Sequence, residues 1–320
     1  MKRFRSIVYV CAVVLCVACQ PTPEELKTIR VCSSAPEGRA CAICFATNGT
    51  VFVAGGRIQD GSYSTTMMCY DASSDQWQTI PFPIQARVNG TACVTSNGVY
   101  LGLGYAGGNV HIDSVYLHDW WRYEPDTDAW TRLADFPAAE TVGAVCWSDD
   151  KTIWVAGGFH AFTNAIWQYD ISEDRWTQAD QSNPARVMSP VAAKCMGRYF
   201  FGTGFHEISH NDWREWFEDG HWERRSSVPG KGRHNAACAA TEETVWVFGG
   251  WHYGDSLTTG FYFDDILRYV PQTDRWTYCG VIPYGTMENG AAAAIGKTVF
   301  FGLGEDKNGT NHSEWYAIEE

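Results

Sequence analysis

Basic residues are scarce in this chain: Lys and Arg number 24 against 37 Asp and Glu, a formal charge of −13. Such a surface repels phosphate backbones and anionic headgroups, so no nucleic-acid partner is expected, nor a membrane bound through surface charge. After residue 26 there is no sustained apolar stripe at 3.6-residue spacing, and a core helix is not called for. Phosphate-cradling glycine loops and nucleophile elbows are also missing, which removes nucleotide-dependent and α/β-hydrolase chemistry. The apolar run over residues 7–18 is too short to cross a bilayer. Cys41 and Cys44 spell C-x-x-C, but on a strand the two side chains point to opposite faces and cannot chelate one ion. Neither a metal nor a cofactor is expected.

Glycine and aromatic residues are plentiful, and they recur in order. An apolar strand ends at Gly55-Gly56, Gly102/Gly104, Gly157-Gly158, Gly202/Gly204, Gly249-Gly250 and Gly302/Gly304, with first members 47, 55, 45, 47 and 53 residues apart. Five of the six copies continue to an aromatic pair: Tyr70/Trp77, Tyr123/Trp130, Tyr169/Trp176, Trp216/Trp222 and Tyr269/Trp276. In the fifth copy, residues 235–240, 244–248 and 265–269 and the stretch opened by Trp276 each read as a short strand. A period near 50 with this signature resembles the kelch repeat, whose unit is one four-stranded propeller blade. The resemblance implies an all-β, six-bladed β-propeller over residues 26–320.

The sixth copy lacks a Trp-led fourth strand. Ile29 stands seven residues before Pro36, as Trp130 does before Pro137 and Trp276 before Pro283. The N-terminal strand over residues 29–32 is therefore expected to pair with the C-terminal blade and close the ring, removing an open sheet edge. Before it, Lys2, Arg3 and Arg5 precede the apolar run, the pattern of a signal peptide over residues 1–18. Cys16-Val17-Ala18-Cys19 resembles a lipobox, so Cys19 is the expected lipidation site and residues 19–25 a tether. This predicts an exported lipoprotein of a bacterial cell envelope. Cys44, Cys93, Cys146, Cys195 and Cys238 fall in the first strands of their repeats and read as small apolar fillers with free thiols.

Propellers of this kind use the loops joining strand d to the next strand a, and strand b to strand c, around a central channel. In kelch proteins similar to this one, arginines after the strand-d proline line the channel mouth. The matching positions here are Arg39, Arg87, Glu140, Arg186, Arg233 and Glu288, a set richer in positive charge than the rest of the protein. Directly after the glycines stand Arg57, Tyr105, Phe159-His160, Phe205-His206, Trp251-His252 and Glu305-Asp306. Aromatic faces beside polar groups suit a sugar ring. The expected ligand-binding set is Arg39, Arg87, Arg186, Arg233, His160, Phe205, His206, Trp251 and His252. The first reading is a binding module for an acidic carbohydrate or a protein partner. The second is a sugar enzyme similar to the sialic-acid mutarotases among kelch propellers, with Glu207 and Arg233, or Glu140 and Arg186, as the carboxylate–arginine pair.

Overall fold

The computed structural model describes residues 22–107, 115–138, 141–160, 164–183, 185–254 and 259–320. Residues 1–18, where a signal peptide is expected, Cys19 and Glu140 lie outside them. Six four-stranded antiparallel sheets form the blades of a propeller, and no helix occurs among the described residues. Blade five is representative, with strands Ala237–Ala240, Val245–Phe248, Asp265–Val270 and Arg275–Val281. The repeated aromatic pair is a directly opposed rung of the outer hairpin: Tyr70 faces Trp77, Tyr169 faces Trp176 and Tyr269 faces Trp276. From that rung each Trp reaches the preceding blade. Trp77 Nε1 donates to Ser33 O at 2.8 Å, Trp176 to Ala134 O at 2.9 Å and Trp276 to Ser226 O at 2.7 Å. Asp75, Asp174 and Asp274 complete these clasps, each accepting from the Tyr hydroxyl and from the preceding blade's N–H.

Ring closure follows the sequence expectation. Ile29–Val31 pairs antiparallel with Trp315–Glu319, placing Ile29 opposite Ile318 and Val31 opposite Tyr316. The preceding residues lie along the edge of blade five: Pro23 O accepts from Tyr278 N at 2.8 Å, and Glu25 N and Lys27 N donate to Tyr278 O and Cys279 O.

Blades alternate in type, which accounts for the alternating glycine patterns. In blades two, four and six strand b ends at Gly102, Gly202 or Gly302, directly opposite Trp120, Trp213 or Trp315. A Cβ at these positions would lie 2.7–3.0 Å from the indole and 2.2 Å from a backbone oxygen, so glycine makes room for a fully buried ring. Blades one, three and five place Ala54, Ala156 or Phe248 on this rung, opposite Met67, Ile166 or Ile266. The next residue is left-handed in all six blades, as Gly55, Gly157 and Gly249 or as Leu103, Thr203 and Leu303. For a non-glycine residue this costs about 1–2 kcal/mol, offset at Leu103 and Leu303 by burial of their apolar side chains.

The strand-a cysteines follow the same alternation and depart from the expected single row. Cys44, Cys146 and Cys238 share one rung, opposite Val53, Val155 and Val247, and blades two, four and six place Ala92, Ala192 and Ala292 there. Cys93 and Cys195 stand one and three residues further along, which turns them between the blades beside Trp120 and Trp213. Burial pushes the Cys44 and Cys238 thiols up to about 12, and all nine described cysteines are free.

At one mouth of the central channel Cys41, Asn89, Gly143, Ser189, Asn235 and Asn289 are all left-handed. Each N–H donates to the carbonyl of its counterpart in the preceding blade over 2.8–3.3 Å, and Cys41 donates to Asn289. Six backbone hydrogen bonds thus form a closed collar. The loops of the candidate site are built on it.

Candidate functional site

Immediately outside the collar, the d–a loop and the b–c loop of each blade meet in a bridge: Ala40 with Arg57, Val88 with Tyr105, Val142 with Phe159, Met188 with Phe205, His234 with Trp251, and Glu288 with Glu305. This pairing lifts the residue after the glycines onto the face of the ring. Blade five adds a ribbon, Trp251–Gly254 against Thr259–Tyr262, which sets Tyr262 opposite Trp251. The result is a row of rings: Phe205 is 5.1 Å from His234, His234 is 5.1 Å from Trp251, and Trp251 stacks on Tyr262 at 5.8 Å. Phe205, Trp251 and Tyr262 are half-buried, and Tyr253 is exposed against Phe205 at 4.8 Å. His234 is a neutral member of the row, because burial, reinforced by His252, lowers it to about 4.

The row ends at a charged cluster on blades six and one. Arg57 Nη2 donates to Glu305 Oε2 at 2.8 Å, and Asn235 Nδ2 donates to Glu288 Oε2 at 3.1 Å. Glu288 is buried, 7 % exposed. Burial raises its carboxyl above the ordinary range, with neighbouring Glu305 adding to the effect and Asn235 and Arg57 opposing it. An aromatic platform leading to a carboxyl pair, an amide and a guanidinium can stack an apolar ring face and exchange hydrogen bonds with hydroxyls at its edge.

Three of the expected arginines are elsewhere. Arg39, Arg87 and Arg233 are 2 %, 0 % and 0 % exposed, inside their blades. Arg233 holds Asp265 through both Nη atoms at 2.6 and 2.9 Å, donates to Gly249 O and lies 3.7 Å over the Phe263 ring. Arg87 holds Asp119 with two 2.8 Å bonds, and Arg39 donates to Gly55 O and Thr66 O. Each ties the end of strand b to the start of strand c. The register explains the difference, since these arginines precede the bridging residues Ala40, Val88 and His234 and turn inward. Arg186 stands one residue earlier relative to its bridge at Met188 and is exposed. The positive ring expected at the mouth is therefore not built by Arg39, Arg87 and Arg233.

His252 is also buried, its Nδ1 2.8 Å from Gly232 O and its ring against Phe261. Glu207 is exposed on a left-handed turn, and the structure does not couple it to Arg233, whose Nη atoms are committed to Asp265. The backbone of His160 pairs with Thr141. His206 and Arg186 line a separate pocket of about 460 Å³ on blade four, together with Arg214 and Arg224. Sequence reasoning missed Tyr253, Tyr262, Arg214 and Arg224 as site residues. Tyr253 and Tyr262 carry no repeat signature, lying in the long b–c connection of blade five.

Against known proteins, the chain matches the KLHDC2/KLHL20/DRC7 Kelch-repeats domain over residues 14–204 and the Kelch motif over residues 232–280. It is similar to Kelch-like protein 23 of Homo sapiens, 25 % identical over 112 residues, which is 35 % of this chain and 18 % of that protein's length. The solved structure of YjhT is alike in fold, with a TM-score of 0.74 at 15 % identity, over 90 % of this chain and 99 % of that one.

Proposed function

Because this chain belongs to the kelch-repeat β-propeller family, we propose that it is a ligand-binding module and that its ligand is a saccharide held on the collar face. The observation that carries the proposal is the unbroken row Phe205, His234, Trp251 and Tyr262, ending at Glu288, Glu305 and Arg57. The half-buried Phe205, Trp251 and Tyr262 rings, braced by the buried His234, offer apolar surface to a sugar ring, and the terminal polar groups match its hydroxyls. Calorimetry with a panel of neutral oligosaccharides tests it. Trp251→Ala is expected to weaken binding roughly tenfold, the size of one lost aromatic stack. If no saccharide binds wild type at millimolar concentration, the saccharide reading falls. The exposed Ile208, Tyr253 and Phe261 on the same loops would then favour a protein partner.

One observation favours a second reading, a sugar enzyme: Glu288, its carboxyl raised by burial and set beside the Arg57–Glu305 pair, is a carboxyl placed to exchange a proton with a bound sugar. Proton NMR of anomer exchange decides it. An enzyme is expected to accelerate exchange and Glu288→Gln to abolish the acceleration, whereas equal rates with and without protein would sink this reading.

A further inference from the structure

Blade four departs from the other five on its outer strands. The second rung of strand c is occupied by Met68, Trp121, Trp167, Leu267 and Tyr316 in blades one, two, three, five and six, and by Arg214 in blade four. Directly opposite Arg214 in the hairpin stands Arg224. Like charges facing each other across a ladder destabilise it. Blade two shows how such a site is balanced: its Arg132 faces Trp121 and is held by Asp135 at 2.8 and 3.0 Å, and its Asp119 is held by the buried Arg87. Blade four has Ser227 where blade two has Asp135, and Val187 where blade two has Arg87. Only Asp212 supplies negative charge to the pocket lining, and it is engaged by Arg214 Nε at 2.8 Å. Arg186 and Arg224 are exposed and have no carboxylate partner among the described residues. The pocket therefore gathers three guanidinium groups against one carboxylate in a protein of formal charge −13.

The same pocket adjoins the aromatic row. His206 lines it directly after Phe205, and Ser209, also in the lining, lies 3.2 Å from His234 and accepts from Tyr253 N. We infer that the blade-four pocket is an oxyanion subsite, and that it receives a uronate carboxylate or a sulfate ester of a saccharide whose rings lie on the row. Guanidinium groups grip such planar or tetrahedral oxyanions through paired N–H donors, and a local reversal of field concentrates an anion there. This inference rests on the saccharide reading for its ligand and on the blade-four charges alone for its pocket.

The experiment compares a neutral oligosaccharide, its uronate-bearing and sulfated counterparts, and inorganic sulfate, on wild type, Arg186→Gln and Arg224→Gln, by calorimetry at low and high salt. Wild type is expected to prefer an acidic ligand roughly ten- to a hundredfold, the size of one charge-assisted contact. The preference should shrink with salt, and either variant should erase it while leaving affinity for the neutral sugar unchanged. Without ligand, Arg224→Gln is expected to raise the melting temperature, because it removes the opposed pair. Equal wild-type affinity for acidic and neutral sugars, or a preference that survives both variants, overturns the inference while the saccharide reading stands. Sulfate bound through the arginines with no saccharide bound at all supports the pocket and overturns its sugar ligand. Binding of neither sulfate nor sugar overturns both.

Discussion

Replacing Arg233 with alanine is expected to cost about 3–5 kcal/mol of stability and to leave ligand affinity unchanged. Removing one partner of a buried ion pair strands the other charge, and that stranding sets the magnitude. Here Asp265 would lose both Nη bonds, Gly249 O would lose its donor and Phe263 the cation over its face. For a domain of this length the loss corresponds to a fall of roughly 5–8 °C in melting temperature. The double variant Arg233→Met with Asp265→Leu is expected to recover much of it, since well-packed apolar groups replace buried pairs at little cost. Thermal unfolding followed by calorimetry reads the stability. Saccharide titration below the transition reads the affinity. An Arg233→Ala protein that melts like wild type but has lost binding would return this arginine to the channel mouth, where sequence reasoning placed it.

The equivalent pair in blade two adds a pH dependence. Burial pushes the Asp119 carboxyl up, but the hydrogen bonds and charge of Arg87 outweigh it and hold the carboxyl below the ordinary aspartate range. Its contribution to stability is thus complete above the unfolded-state value and is lost as pH falls toward the depressed one. Asp119→Asn should flatten that acid limb of the stability profile.

Blade number, strand order and ring closure could be read from the sequence because each rests on local, repeated chemistry: glycines that must admit a Trp ring, a Tyr–Trp rung, and a proline at fixed distance from strand d. The direction of the arginines could not. Whether Arg87 faces the channel or Asp119 depends on a one-residue register against the Val88–Tyr105 bridge, and acceptor and donor lie 32 residues apart in sequence. The alternation of blades was visible in Gly-Gly against Gly-x-Gly, but its cause lies across the sheet, in Trp120, Trp213 and Trp315. Phe205 and Trp251 were found because aromatic-His recurs after the glycines. Arg214 was hidden because only a ladder alignment of all six blades shows that it replaces an apolar residue.

Deleting residues 1–38 is expected to abolish cooperative unfolding, and moving the closing strand to the other end of the chain is expected to restore it. The deletion removes Ile29–Val31 and so exposes the backbone edge of Trp315–Glu319, a row of unpaired donors and acceptors that templates association. It also takes Cys32 and Ala35 from the cluster around Trp315, and from blade one the Ser33 groups that satisfy Trp77 Nε1 and Asp75. The residues along blade five go with it, uncovering Tyr278 and Cys279. Two blade interfaces and one edge are lost together, so the remaining blades no longer melt as one unit. Because Ile29 lies opposite Ile318 and the strands run antiparallel, a turn of about two to four residues can join Glu320 to residue 28. Residues 28–38 placed after Glu320 would then form an ordinary c–d hairpin, like Tyr269–Trp276 in blade five. Calorimetry on the deleted and rearranged chains, with light scattering to detect association, gives the answer. If the deleted chain keeps the wild-type melting temperature, strand closure is not what holds the ring. If the rearranged chain fails while the deleted chain also fails, the contribution lies in the segment along blade five instead of the strand.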